Sequence, residues 1–345
     1  MKTKAAVMED IGKMSIREYD VQKPEEGQVL IKVHNCNICT SDWQTWLGAR
    51  KSQKRTFPWA PGHEAAGEIA EIGPGVTEYK TGDHVAIGYP GCGYCHACRT
   101  GKTSKCPNTK SLVRAGISGG HGMSQYYTAT LNRVFKISDE LAYEEACYLE
   151  PLSTAVHGIR KLRVSPGDYL LVIGAGNLGL VNAQLARAFG CKVVVSEVDE
   201  KRCEIANSLG FTVINPTQED LISETKKLSK GRGIDVVILA VGNTVATDQA
   251  LQVVKRCGKV LFFASSYPPA QINIDVNGLH YGNYEFIGTG GADLTDYELS
   301  AQLLSDGTVK CDKIVSHKVP LDDIQKAFEL ASTPGNYRVS LVMWP

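Results

Sequence analysis

The run YLLVIGAGNLGLVNAQLARAFG, residues 169–190, followed at once by CKVVVSEVD, residues 191–199, decides the fold of the middle of this chain. Its first five residues are apolar and read as a strand buried on both faces, and Gly174, Gly176 and Gly179 follow in the spacing G-x-G-x-x-G. A helix comes next, then a second apolar strand, so the segment is a β-α-β unit. Glycines alone mark only a turn; between a strand and a helix they let backbone approach a pyrophosphate closely. The helix start, with Asn177 and Leu178, offers that pyrophosphate free N–H groups and a positive dipole end. The second strand leads to Glu197, about twenty residues on, where a carboxylate can accept hydrogen bonds from both ribose hydroxyls. A carboxylate also repels the 2′-phosphate of NADP, so NAD is the expected cofactor. Asp199 is placed instead as the cap of a helix that includes Arg202, which is counted with the cofactor-binding residues.

Reading outward, Asp235–Ala240 is an apolar run, Thr244–Arg256 is helical and Lys259–Ala264 is again a strand. This alternation predicts a doubly wound α/β sheet. Residues 1 to about 150 differ: Gln28–Val33, Gly67–Ile72 and His84–Ile87 are short strands between glycine turns, which reads as an all-β part. Near the end, Leu321–Ala331 carries apolar residues on one helical face ahead of a last strand, Val339–Met343.

Length and charge narrow the class. A chain of 345 residues with 43% hydrophobic content suggests two domains. The 37 basic residues match 37 acidic ones, so no excess charge exists to neutralise a nucleic-acid backbone. No apolar run reaches the length of a membrane span. Lys2, Lys4, Glu9 and Asp10 interrupt the N-terminus before a secretory core forms, and the cysteine count, eleven, is odd. A reducing, cytoplasmic location is expected, with metal rather than disulfides as the use of clustered thiols.

Four of those thiols stand in PGCGYCHACRTGKTSKC, where Cys92, Cys95, Cys98 and Cys106 are separated by two, two and seven residues. Such spacing brings four thiolates onto one ion in the tetrahedral, closed shell of a structural Zn2+. A bacterial ferredoxin also begins with two two-residue gaps, but it continues with a gap of three before its Cys-Pro, unlike Cys106-Pro107. Three further segments carry metal-type residues: Cys39 in NICTSDWQ, His63 and Glu64 in PGHEAAGE, and Glu150 in YLEPLSTAVHG. Each is ordinary alone; it is their combination with the cysteine loop and the glycine fingerprint that raises them.

In that order, NICTSD, GHEAAGEIAEIGPGVTEYKTGDHV, the four-cysteine lobe, EPLSTAVHG, GAGNLG and the final helix–strand segment make the chain resemble a zinc-dependent medium-chain dehydrogenase/reductase of the alcohol and polyol dehydrogenase superfamily. The resemblance covers nearly the whole length. It implies a GroES-like catalytic domain from both ends of the chain, residues 1–151 and 290–345, with the zinc lobe at about 90–107, and a Rossmann domain at 152–289. It also implies two zinc ions per chain. Cys39 and His63 would hold the catalytic one, Glu64 would be a ligand or its exchanging neighbour, and Glu150 would take the third or a water-linked position. The open site would lower the pKa of an alcohol bound there and allow its hydride to leave for the nicotinamide. Ser41 would take the hydroxyl proton, and Asp42 would orient His63.

The chain departs from the family pattern in three places. Gln44 stands where many alcohol dehydrogenases have a proton-relaying histidine, so proton exit needs another route, through water and Glu64 or Glu150. Glu150 replaces the cysteine of many alcohol dehydrogenases with the acid of the sorbitol, glucose and threonine branches. No arginine of the sorbitol dehydrogenase kind follows Phe286. The glycines Gly288, Gly290 and Gly291 of GTGGAD read as a turn leaving the sheet, with an anion cradle for a phosphate or sulfonate as the alternative. His121 and His157 read as structural, with the substrate cleft as their alternative. The expected activity is NAD-dependent oxidation of a secondary alcohol on a polyol-like molecule, with an amino alcohol such as threonine as the alternative substrate. The expected assembly is a dimer or tetramer. A non-enzymatic zinc- and dinucleotide-binding redox sensor or structural subunit is the rival class.

Overall fold

The structure, a computed structural model, describes residues 1–50, 55–108, 112–266 and 269–344. The chain divides into two compact units, Met1–Ser153 with Ala292–Pro345, and Thr154–Gly291. Each junction falls two residues beyond the position expected from sequence. The first lies inside a continuous helix, Leu149–Leu162, where helical periodicity carries no mark of a boundary.

The first unit begins with β1 (Lys2–Asp10), β2 (Lys13–Asp20), β3 (Gln28–Asn37), α1 (Thr40–Trp46), β4 (Trp59–Ala60), β5 (Glu64–Ile72) and β6 (His84–Ile87). It continues through α2 (His96–Arg99), β7 (Leu112–Arg114), β8 (Ile117–Gly119), β9 (Tyr126–Thr130), β10 (Val134–Lys136), α3 (Tyr143–Ala146) and α4 (Leu149–Leu162). One sheet runs β2-β1-β4-β8-β7. In the other, β3 pairs antiparallel with both β5 and β9, and its alternating Val29, Ile31 and Val33 enter a core with Ile69, Val85, Ile87 and Tyr127. Period-two alternation thus places one face of β3 in the core.

The second unit holds β11 (Tyr169–Ile173), α5 (Asn177–Ala188), β12 (Lys192–Ser196), α6 (Glu200–Ser208), β13 (Thr212–Ile214), α7 (Leu221–Leu228) and β14 (Ile234–Leu239). It ends with α8 (Thr244–Val253), β15 (Val254–Phe262), α9 (Val276–Gly282) and β16 (Glu285–Gly288). All six strands are parallel, in the order β13-β12-β11-β14-β15-β16. Strand order reverses between β11 and β14, which sets the ligand crevice at the carboxyl end of β11. The helix expected to reach Arg256 stops at Val253, and Val254 already pairs with Ile234. The β-branched pair Val253-Val254 favours the strand. A register shift follows at Lys255–Gly258, with Cys257 at φ 60°.

The chain then returns to the first unit with α10 (Leu294–Ser305), β17 (Val315–Pro320), α11 (Ile324–Ser332) and β18 (Arg338–Val342). The predicted helix at Leu321 opens with one 3-10 turn, Leu321–Asp323, before α11. Strand β18 pairs antiparallel with β3 and parallel with β17, so the second sheet reads β10-β6-β5-β3-β18-β17. Both ends of the chain are therefore needed to complete it. Among the described residues no helix is long and apolar enough to cross a membrane.

Candidate active site and metal centres

Cys39 stands between the end of β3 and the first turn of α1, as the helix N-cap. Its N–H donates to Asp42 Oδ2 at 3.2 Å, while its sulfur accepts the N–H of Asp42 in return. This reciprocal C-x-x-D cap fixes the sulfur at the positive end of a short helix. The same Asp42 oxygen lies 3.6 Å from His63 Nδ1, so one buried carboxylate faces both groups. His63 immediately precedes β5, and Gly62 before it has φ 99° with its carbonyl accepting the Gly122 N–H. A Cβ at Gly62 would come within 2.4 Å of Met123 N. Glycine there is what lets this turn pack against the Gly122–Met123 backbone. Glu64 opens β5, and the ligand atoms of Cys39, His63 and Glu64 lie within 4.8 Å of one another. A sulfur, an imidazole nitrogen and a carboxylate oxygen at that spacing fit a tetrahedral zinc site with bonds of about 2.0–2.3 Å.

Arg338 belongs to this centre and was not among the residues singled out from sequence. Asn37 pairs with Glu64 across β3 and β5 and with Ser340 across β3 and β18, which carries Arg338 to the same place. The guanidinium is 3% exposed and grips Glu64, with Nε donating to Oε2 at 2.9 Å and Nη2 to Oε1 at 2.6 Å. Nη2 also stands 3.9 Å from Cys39 Sγ. The signal was present: a lone charge opening the mostly apolar run RVSLV must find a partner if the strand is buried.

Glu150, at the start of α4, is not one of the three clustered donors. Burial raises its carboxyl to about 7, with His63 opposing, and among the described residues its carboxylate has no hydrogen-bond partner. Burial likewise raises Glu64, with Arg338 opposing. At Cys39 burial works against the thiolate, but the charges of His63 and Arg338 prevail and bring the thiol down to about 6. Ser41 is half-exposed in the first turn of α1, where its carbonyl accepts the Thr45 hydroxyl, and Gln44 lies one turn further on.

The four-cysteine loop is built as the spacing suggests. Cys92, Cys95, Cys98 and Cys106 place their sulfurs within 4.8 Å of one another, with Cys95 and Cys106 3.7 Å apart. Four sulfurs each about 2.3 Å from an ion form a tetrahedron with edges of about 3.8 Å. Cys106 accepts the N–H groups of Cys92 and Asn108, each at 3.3 Å. Burial drives Cys98 up to about 12 while Cys92 is drawn down to about 6, its desolvation outweighed by the Asn108 amide and nearby N–H groups. Thiols this close resist joint ionisation, and a divalent cation removes the resistance. A Cβ on Gly91 would meet Cys98 Sγ at 2.3 Å, so the residue before Cys92 must be glycine.

In the second unit, Gly174 has φ 100°, Gly176 caps α5, and Asn177 and Leu178 are the helix's first two residues. The carbonyl of Gly174 lies 1.9 Å from where a Cβ of Gly179 would stand, whereas at Gly176 the nearest atom is Arg202 Nη1 at 3.8 Å. Gly176 thus leaves room for a ligand, with a guanidinium beside it. Glu197 is used more heavily than expected. Its Oε2 accepts the Ala175 N–H at 2.7 Å, and Oε1 accepts those of Val198 and Asp199 at 2.7 and 3.0 Å. A carboxylate has about four acceptor sites, so one remains for a ribose hydroxyl. Asp199 caps α6 through the Arg202 N–H, at 3.0 Å. Gly179→Ala is expected to cost about 1–3 kcal/mol of stability through overpacking and to weaken NADH binding at least tenfold. A fluorescence titration of NADH checks it, and unchanged affinity would separate this turn from the cofactor site.

His121 is buried, with its ring 3.0 Å from the Ile117 carbonyl, and His157 is buried on α4. Gly288 ends β16, and Gly291 at φ 70° makes the turn that follows.

Two family models match the chain. The family model for the alcohol dehydrogenase GroES-like domain matches residues 25–139, and that for zinc-binding dehydrogenases matches residues 178–306. The chain is 32% identical over 355 residues to sorbitol dehydrogenase of Bacillus subtilis, covering 99% of this chain and 97% of that one. It is 35% identical over 342 residues to L-threonine 3-dehydrogenase of Pyrococcus abyssi, covering 96% and 94%. Among solved structures, 2R,3R-butanediol dehydrogenase from Bacillus subtilis matches with a TM-score of 0.85 at 26% identity, covering 99% of this chain and all of that one.

Proposed function

The chain belongs to the zinc-dependent medium-chain dehydrogenase/reductase family, and from that premise we propose that it oxidises a secondary hydroxyl of a polyol-like small molecule with NAD. The observation that carries the proposal is the convergence of Cys39, His63 and Glu64 donors within 4.8 Å. A zinc ion held there supplies polarisation of the substrate hydroxyl, and NAD supplies the hydride acceptor. Cys39 is favoured as a thiolate by the charges of His63 and Arg338, and His63 is oriented by Asp42. Glu64, although gripped by Arg338, is the third clustered donor, and Glu150, whose carboxylate is not so tied, would take a water-linked or exchanging position beside it. Ser41 accepts the hydroxyl proton. Gln44 cannot carry it onward, so the relay beyond Ser41 runs through water.

The choice of NAD rests on Glu197, whose charge disfavours a 2′-phosphate. The Cys92–Cys106 lobe holds a second, structural zinc. We place the enzyme in the cytoplasm, where its eleven cysteines, none of them in a disulfide, stay reduced. We also assign it a homo-oligomer, supported by the exposed Ile272, Val276 and Tyr281 near the edge strand β16.

The test is reduction of NAD+ by a panel of polyols, sugar-alcohol phosphates, amino alcohols and hydroxy-sulfonates, with zinc counted on the same sample. The expected result is turnover on one class with two zinc ions per chain and at least tenfold preference for NAD over NADP. Absence of turnover on every class, with one zinc retained after zinc addition, would transfer the chain to the non-enzymatic sensor reading.

A further inference from the structure

The first unit holds a cavity of about 380 Å³ that none of Cys39, His63, Glu64 and Glu150 lines. It lies between the β1–β2 hairpin, the turn from β7 into β8, and the start of β9. Backbone ties fix its shape: Ala5 bridges to Ser124, and the Tyr126 N–H donates to Thr3 Oγ1 at 3.1 Å. Pockets for small molecules run from about 300 to 1,000 Å³, so this one is large enough for a compact organic ligand.

Its lining includes a cation without a counter-ion. Arg114 is half-buried, with its guanidinium carbon 4.5 Å from the centre of the buried Tyr127 ring. Nη2 donates to the Thr128 carbonyl at 2.9 Å, and among the described residues none of its remaining N–H groups has a protein acceptor. The nitrogens that carry them are not sealed from solvent, so they open on the cavity. Burial lowers the pKa of Arg114, with Tyr127 and Tyr89 opposing and Arg133 adding to the fall; no carboxylate acts on it. A cation drawn out of water without a partner is costly, and an anion brought in from outside removes that cost.

The other walls select the kind of anion. Lys2 and Asp20 pair with each other at 3.0 Å, and Glu18 is an exposed carboxylate on the same lining. The cavity therefore carries no surplus positive charge, which disfavours a phosphate or sulfate dianion. A carboxylate is a planar monoanion that a guanidinium fork meets with two parallel hydrogen bonds. Ala5, Val21 and Leu30 offer the rest of such a molecule an apolar wall.

We propose that this cavity is a second ligand site, separate from the catalytic centre, in which Arg114 holds the carboxylate of a small organic acid against the Tyr127 ring. Tyr127 acts as a positioning residue, keeping the guanidinium flat.

The experiment is calorimetric titration of the zinc-loaded protein with butyrate and hexanoate, each beside its neutral amide, and with inorganic phosphate. The acids are expected to bind with Kd of about 1 mM or tighter, and about tenfold or more tighter than the amides, the worth of a charge-assisted hydrogen bond. Arg114→Gln should abolish that preference, and Arg114→Lys should keep part of it. Thr128→Phe leaves the carbonyl that Arg114 uses but fills the cavity, and should abolish binding of acids and amides alike. Acids that bind both Arg114→Gln and Thr128→Phe with unchanged affinity are held elsewhere, as at the catalytic metal, and overturn the inference. Equal affinity for acids and amides, or phosphate binding as tightly as the acids, overturns it as well. The titration involves no turnover, so its outcome and that of the dehydrogenase reading are decided separately.

Discussion

Arg338→Met is expected to lower the unfolding free energy by about 3–5 kcal/mol, the cost of breaking a buried ion pair by removing one partner. The argument is one of stranded charge. Glu64 is 1% exposed, and both of its oxygens are held by the guanidinium, at 2.9 and 2.6 Å. Without that cation a buried carboxylate stands beside the sulfur of Cys39 with no donor to either oxygen. Methionine fills most of the space, so the loss reports charge rather than a cavity. Urea unfolding in zinc-replete buffer measures it, through the midpoint at constant slope. Adding Glu64→Gln to Arg338→Met should recover a large part of the loss, because the neutral amide costs less to bury unpaired. Arg338→Lys should fall between, keeping the charge but losing the two-pronged grip. A loss below about 1 kcal/mol would show Glu64 to be neutral or solvated in the folded protein, against the low value of exposed pairs as reference.

What sequence made legible here was local chemistry, and what it left hidden was register. The glycine turn, the cap at Asp199 and the four-cysteine loop are each defined within about twenty residues, so spacing alone describes their geometry. Cys39, His63, Glu64 and Glu150 were found through the family pattern, since nothing in their spacing brings them together. Arg338 escaped because its place depends on β18 pairing with β3 at Ser340 and Asn37, a contact between opposite ends of the chain. The end of α8 was misplaced for a related reason. Residues 254–256 continue a helical pattern, but the pairing of Val254 with Ile234 in a neighbouring strand overrides it. Tertiary pairing commonly decides such ambiguous ends. Glu197 shows a third kind of gap: its position at the strand end was readable, whereas its three bonds to the backbone depend on how the glycine turn folds over it.

Two cysteine substitutions should separate the proposed metal centres, because the same chemical change falls on an open site and on a closed one. Cys39→Ser exchanges a thiolate for a hydroxyl that does not ionise near neutral pH, at a centre with few protein ligands. Turnover should fall by about 10³-fold or more, the equivalent of the several kcal/mol that a metal contributes to a developing negative charge. The glycine turn and Glu197 belong to the other compact unit, so NADH affinity should stay within about twofold, with zinc content dropping from two to one per chain. Cys95→Ser removes one corner of the sulfur tetrahedron, where Cys95 and Cys106 stand 3.7 Å apart and two backbone N–H groups already serve Cys106. There the metal joins segments of a loop whose only regular elements are the four-residue α2 and a single 3-10 turn. Binding energy at such a site is folding energy, so stability should fall by about 3 kcal/mol or more while each folded molecule that keeps its other zinc still turns over. Thermal melts, zinc analysis and kcat per folded chain, measured on both variants, decide the matter. If Cys39→Ser retained full activity, the sulfur would leave the ligand set; if both variants lost stability and activity in the same proportion, the division into an open reactive centre and a closed structural one would fail.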